Sequence, residues 1–178
     1  HQYKLAYAGF KENNHEWGMA ATGHNIGMVY AELEQFDEAL DYIENAYAAH
    51  EKIGHRRGMV GGLSVLGTIY RKQGKRRKAR RYFNDSLRLA QEVGVIWSAI
   101  ATVVDVAELE MSYGRMQQAA QLLTFAIRQE TIEATTLEKA QKLLDELKAE
   151  LPDEIMAAVE TAVDNLTLTE IIDRIIQA

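Results

Sequence analysis

Apolar and small residues recur along this chain at spacings of three and four, the spacing that lines one face of a helix. Ile26, Gly27 and Tyr30 mark one such stripe, and Ala39, Ile43, Ala46 and Tyr47 mark the next. The spacing predicts a first helix over about residues 18–33 and a second over about 37–53. The pattern then returns with a period of 40 residues, Gly18–Arg57 aligning with Gly58–Trp97. Gly18 falls on Gly58, Gly27 on Gly67, Tyr30 on Tyr70, Ala39 on Ala79 and Gly54 on Gly94. A third copy from Ser98 keeps Ala107, Gly114, Ala119 and Ala126 but has Glu110 where the tyrosines stood. Ahead of the first copy, Tyr3–Trp17 aligns with a second helix, Tyr7 on Tyr47 and His15 on His55. The chain is therefore expected to start in mid-repeat and to be a piece of a longer protein.

Two helices that each carry one apolar stripe bury it by folding against each other. Small residues at positions 27, 39 and 46 let them approach closely, and Gly74 and Gly114 read as the glycines that end helices. Hairpins stacked at this period predict an all-α fold, a right-handed α-solenoid or superhelix of antiparallel helix hairpins with a concave inner face. The expected organisation is a repeat region over 1–130 (half repeat 3–17, then 18–57, 58–97 and 98–130) followed by capping helices over 131–178. In that tail, Leu137, Ala140, Leu144 and Leu147 define one helix. Pro152 is expected in the first turn of the next, which carries Ile155, Met156, Val159 and Val163. Thr167 and Glu170 have the spacing of a capping box for the last, whose apolar face is Ile171, Ile172, Ile175 and Ile176. The tail departs from the 40-residue pattern.

Composition narrows the function. The chain has 178 residues, no cysteine, one proline and a formal net charge of −6. Disulfide and thiol chemistry are excluded, and a reducing, cytoplasmic location is expected. No apolar run is long enough for a membrane span. Acidic balance argues against nonspecific nucleic-acid binding. The nucleotide loop GxxxxGK[ST], the HExxH metal motif and the GxSxG nucleophile elbow are all absent from the sequence. Glu108 and Glu110, two residues apart, point to different helix faces and do not form an acid–base pair. His15 and His55 occupy equivalent positions near a helix end and read as turn residues, while His24 falls on the expected inner face. The Asn165-Leu166-Thr167 sequon reads as a chance match. A protein without enzymatic activity, cofactor or metal is expected.

One charge anomaly stands out. Arg71, Lys72, Lys75, Arg76, Arg77, Lys78, Arg80 and Arg81 crowd the second hairpin turn, balanced in charge by an acidic turn between Glu32 and Glu38 in the preceding repeat. Its readings are a solvated turn, a surface for an acidic protein, or a phosphate-backbone contact. No aromatic platform is interleaved with it, because Tyr82 and Phe83 read partly as core.

The repeated segments "IGMVYAELEQFDEA" and "LGTIYRKQGKRRKA", each with a small residue seven positions on, resemble the tetratricopeptide family over about residues 3–130. The run from Gly58 to Gly94, then "YGRMQQAAQLL" and "LTLTEIIDRII", is similar to the carboxy-terminal sensor region of bacterial multidomain signalling ATPases and transcription regulators. That resemblance implies a sensor or autoinhibitory surface, with a nucleotide-binding switch domain elsewhere in the parent. Matched to the family's groove positions, the inner face would comprise Ala21, His24, Asn25 and Met28. Gly61, Ser64, Val65, Thr68, Arg71 and Lys72 would follow, then Ala101, Val104, Asp105 and Glu108. Asn25 matches the asparagine with which some members clamp a terminal carboxylate; Val65 and Asp105 do not.

The expected partner is a protein or peptide touching His24, Asn25, Met28, Ser64, Thr68, Arg71 and Lys72, with acidic groups near the arginine and lysine. Asp105 and Glu108 would reverse the sign and polarise the ligand. Other domains of the parent are a further expected partner. The alternatives are a self-associating scaffold, through Tyr3, Leu5, Tyr7 and Phe10 as a homo-oligomer, and a nucleic-acid adaptor using Lys75, Arg76, Arg77, Lys78, Arg80 and Arg81.

Overall fold

A computed structural model describes residues 2–178. The described residues hold ten helices. They are α1 (Gln2–Glu12), α2 (Glu16–Glu32), α3 (Phe36–Lys52), α4 (Arg56–Lys72), α5 (Arg76–Val93), α6 (Ile96–Ser112), α7 (Met116–Ile127), α8 (Ala134–Glu150), α9 (Asp153–Val163) and α10 (Leu168–Gln177). The chain divides into two compact bodies, one ending at Leu89 and one starting at Ala90.

The repeat helices end in one recurring way. Asn14, Glu34, Gly54, Gly74, Gly94 and Gly114 all have positive φ, from 52° to 77°, and they stand 20 residues apart. At each, the amide of the left-handed residue bonds back three residues and the next amide bonds back five. Gly74 donates to the Arg71 carbonyl at 2.9 Å and Lys75 to the Tyr70 carbonyl at 2.8 Å. This pair of bonds satisfies carbonyls that the helix end would otherwise leave open, and it reverses the chain. The true structural period is thus one helix and one turn, with two of them making the sequence repeat. Asn14 and Glu34 take the same conformation without being glycine.

In the first body, α2 packs on α3, α3 on α4, and α1 on α2. Ala31, Ala39, Ile43, Leu66 and Ile69 form a buried cluster, with Tyr30, Phe36, Leu40, Val65 and Tyr82 around it. The glycines are spacers for large side chains. A Cβ on Gly27 would lie 2.5 Å from Ile43, and one on Gly67 would lie 2.5 Å from the Phe83 ring. A Cβ on Gly18 would meet the Phe10 ring at 2.4 Å, and one on Gly58 would meet His50 at the same 2.4 Å. In the third repeat the partner positions are Ala90 and Ser98, where loss of the large ring accompanies loss of the glycine. Buried Ser86 donates to the Val60 carbonyl at 3.0 Å, fastening α5 to α4.

In the second body, α6 and α7 make the third hairpin, and α8 and α9 both pack on α7. Helix α8 also touches α6, as α4 touches α2. It stands in the place of a first helix of a further repeat, although its sequence lacks the glycine and tyrosine of that pattern. Its Ala140, Leu144 and Leu147 are buried. Pro152 is the N-cap residue of α9, one position outside the first turn where the sequence placed it. The expected capping box of α10 is formed: the Glu170 amide donates to the Thr167 hydroxyl at 3.3 Å, and the Thr167 amide donates to the Glu170 carboxylate at 2.8 Å.

Candidate functional site

The first helices α2 and α4 lie side by side, and contacts at two levels hold them. The His24 ring approaches Gly61: a Cβ there would be 3.3 Å from the imidazole. Near the other end, the Lys72 ammonium donates to the Ala31 carbonyl at 3.4 Å and lies 3.2 Å from the Glu32 carboxylate. Lys72 is therefore a strut between the two helices, with its side chain only 22% exposed. Between these contacts, Asn25 and Met28 of α2 are exposed, while Ser64, Thr68 and Arg71 of α4 are half-buried. The structure brings these seven predicted residues onto two neighbouring helices. Burial holds the His24 imidazole below its usual pKa, so at neutral pH the strip carries a neutral ring at one level and two cations at the other.

The predicted residues of the third repeat behave differently. Val104 is fully buried and belongs to the core, not to a groove. Asp105 and Glu108 are covered by the chain's own α8, whose Lys139 ammonium lies 2.7 Å from Asp105 and 2.6 Å from Glu108. Burial pulls the Lys139 pKa down, but the two carboxylates outweigh it and the group ends above its usual value. The reversal of sign expected along the groove is thus met by an internal lysine. Sequence reasoning missed Lys139, which stands one position before Ala140 of the buried α8 stripe.

The basic turn is partly committed to packing. Tyr70 and Tyr82 stack with ring centroids 5.3 Å apart, and the ammonium groups of Lys78 and Lys75 sit 5.0 and 5.8 Å from the Tyr70 centroid. Arg81 lies 3.9 Å from Asp85, while Arg76 and Arg77 are exposed and Arg80 is half-buried. The rings beside this charge are taken up in packing, as expected: Phe83 is buried and Tyr82 stacks on Tyr70.

The apolar residues expected at the amino-terminal face split into two pairs. Tyr7 meets Tyr42 edge to face at 5.4 Å and Phe10 packs on His15 at 5.2 Å, whereas Tyr3 and Leu5 are exposed. Val29 is 50% exposed, although its repeat equivalents Ile69 and Leu109 are completely buried.

A histidine pair missed by the sequence reading lies at the α3–α4 turn. Buried His50 and half-buried His55 place their Nδ1 atoms 3.1 Å apart. Burial, and then the charges of His55 and His24, push the His50 pKa down to about 4. Its signal was the repeat itself, since Phe10 and His15 hold the equivalent positions. Among the described residues no group of three or more acidic or histidine side chains could hold a metal, and no helix is long and apolar enough to cross a membrane.

Comparison with known proteins agrees with this architecture. Residues 18–92 match the tetratricopeptide repeat family, so the chain carries a tetratricopeptide-type repeat region built of helical hairpins. It is similar to Protein KINESIN LIGHT CHAIN-RELATED 2 of Arabidopsis thaliana, at 29% identity over 131 residues. The match takes in 71% of this chain and 20% of that protein, so the chain spans about a fifth of its relative's length. No solved structure matches.

Proposed function

We propose that this chain is a protein- or peptide-binding module, acting as a sensor or regulatory segment of a larger signalling protein. The observation that carries the reading is the α2–α4 strip. Asn25 and Met28 stand exposed on α2, whose other face is core, and Met28 is a 45% exposed apolar side chain that the fold does not use. A methionine flanked by hydrogen-bonding groups suits an adaptable peptide contact. Arg71 and Lys72 give the strip a positive end, which favours a ligand with a carboxylate there and predicts weakening by salt. Lys72 also holds Glu32, so reversing its charge would disturb the scaffold; Asn25→Ala and Met28→Ala are the cleaner test. Loss of binding in those variants at unchanged thermal stability supports the assignment.

Exposed Val29, with its buried equivalents in the other repeats, favours a second reading: self-association through the amino-terminal face. A second copy would cover Tyr3, Val29 and Leu33. Sedimentation over a concentration series should show a dimer that Val29→Ser abolishes; a monomer at all concentrations rejects it.

A further inference from the structure

Three histidines meet where α2, α3 and α4 come together in the first body. His24 stands on α2, His50 on the last turn of α3 and His55 at the start of α4. Two glycines of α4 make room for imidazoles at this level. A Cβ on Gly58 would lie 2.4 Å from the His50 ring, and one on Gly61 would lie 3.3 Å from the His24 ring. His50 and His55 place their Nδ1 atoms 3.1 Å apart, with ring centroids 4.9 Å apart. The α1–α2 turn shows that the repeat itself does not require this pairing. There His15 holds the position of His55, and its Nδ1 accepts from the Gly18 amide at 3.0 Å, capping α2. His55 makes no such cap on α4; its Nδ1 faces His50 instead. Phe10, which takes no proton, holds the position of His50.

This junction can hold only a limited number of protons. At the Nδ1–Nδ1 contact one nitrogen donates and the other accepts, whichever tautomers are present. One added proton leaves that bond intact, because one ring still offers a bare Nδ1. A second makes both Nδ1 atoms donors, and the pair must separate. His50 is only 5% exposed, so a charged ring in its slot loses its hydration. The charges that act on it come from His55 and His24; both oppose its protonation, and no carboxylate is among them. The other charged groups at the junction are Glu16 on α2, Glu51 and Lys52 on α3, and Arg56 and Arg57 on α4. Glu16 pairs with Lys52, while Glu51 and Asp85 of α5 act on Tyr47, one turn back along α3.

We propose that this junction is an acid-sensitive switch: charging its imidazoles drives the His50 ring from its slot against Gly58 and loosens α2 from α4 at the His24–Gly61 contact. Each proton taken up on opening multiplies the open fraction about tenfold per pH unit, and two together about a hundredfold. The open form gains as pH falls below 6.5, the ordinary value of the imidazole, and the gain levels off near 4, the value of buried His50. The consequence for binding rests on the reading of the α2–α4 strip as the peptide site: opened in acid, the strip releases its ligand. The structural change does not rest on that reading.

The test is a series of 1H–15N spectra of the chain from neutral pH down to about 4, with far-UV circular dichroism alongside. The amides of Gly58 and Gly61 should shift together with the ring signals of His24 and His50, in one transition steeper than a single proton allows, while helix content stays constant. His50→Gln keeps a hydrogen-bonding group in the slot but takes no proton. It should remove the shift at Gly58 and leave at most a one-proton shift at Gly61, and His50→Phe, which copies Phe10, should do the same. A peptide selected on the strip at neutral pH should bind the wild type about tenfold more weakly at about pH 5, with no such loss in His50→Gln. If no peptide binds at neutral pH, the strip reading fails and the spectra alone decide the switch. The switch is overturned if the Gly58 and Gly61 amides keep their positions throughout, if they move only as helix content falls, or if the Gly58 shift survives in both variants. It is overturned as a control on binding if acid weakens the peptide equally in the wild type and His50→Gln.

Discussion

Gly67 lies directly under the Phe83 ring: a methyl group on its Cα would sit 2.5 Å from two ring carbons. Phe83 is wholly buried, so the ring has nowhere to move. Gly67→Leu should therefore destabilise the first body by about 1–3 kcal/mol or more, read as a lowered urea midpoint. The third repeat shows the compensated form, Ala107 with Leu123. Gly67→Ala combined with Phe83→Leu should cost less than the sum of the two single changes, by about 0.5–3 kcal/mol of coupling. An additive result would mean that the two positions do not share this space.

Glu34 holds φ at 58° where the four later turns of the repeats have glycine. A left-handed conformation costs a residue with a Cβ roughly 1–2 kcal/mol, offset in part by the greater freedom of glycine in the unfolded chain. Glu34→Gly should raise stability by up to about 1 kcal/mol. Thermal melts would show an upward shift, and a fall would show that the Glu34 side chain contributes more than its backbone strain takes away.

How much of this was legible in the sequence depends on what kind of residue carried the information. Gly27, Gly67, Tyr30 and Tyr70 declared the repeat, because close helix crossings and the ring stack each demand a particular residue type. The 20-residue helix-and-turn period was hidden, because Asn14 and Glu34 reach the left-handed turn through backbone bonding rather than through being glycine. Helix α8 was legible from its stripe, but its place beside α6 and α7 was not, since it follows from Leu144 and Leu147, which any amphipathic helix could supply. Of the site, the residues of the α2–α4 strip came from setting the repeat against the groove positions of the family it resembles. The pairing of Asp105 and Glu108 with Lys139 was not legible, since nothing local ties residues so far apart in the chain.

His50 makes stability depend on pH. Its folded pKa, about 4, lies below the unfolded value of 6.5, so the unfolded state takes up the proton first. Stability from this group is complete above the unfolded value and is lost as pH falls from there toward 4, at a limiting slope of roughly 1.4 kcal/mol per pH unit. His24, also depressed by burial, acts in the same direction. Phe10 fills the equivalent place against Gly18. His50→Phe should fit the same way and flatten the profile between pH 6.5 and 4. A variant as acid-sensitive as the wild type would place the sensitivity elsewhere.

The central claim is that the α2–α4 strip is the surface this chain uses to bind peptide. Selecting peptides on the chain from a random library, then titrating the tightest of them calorimetrically, tests it most directly. The account predicts that Asn25→Ala, Met28→Ala and Thr68→Ala together weaken binding about tenfold or more, that added salt weakens it further, and that Glu44→Ala on the exposed side of α3 leaves it unchanged. Equal affinity for the wild type and the triple variant, with binding lost in a variant of another face, would contradict it.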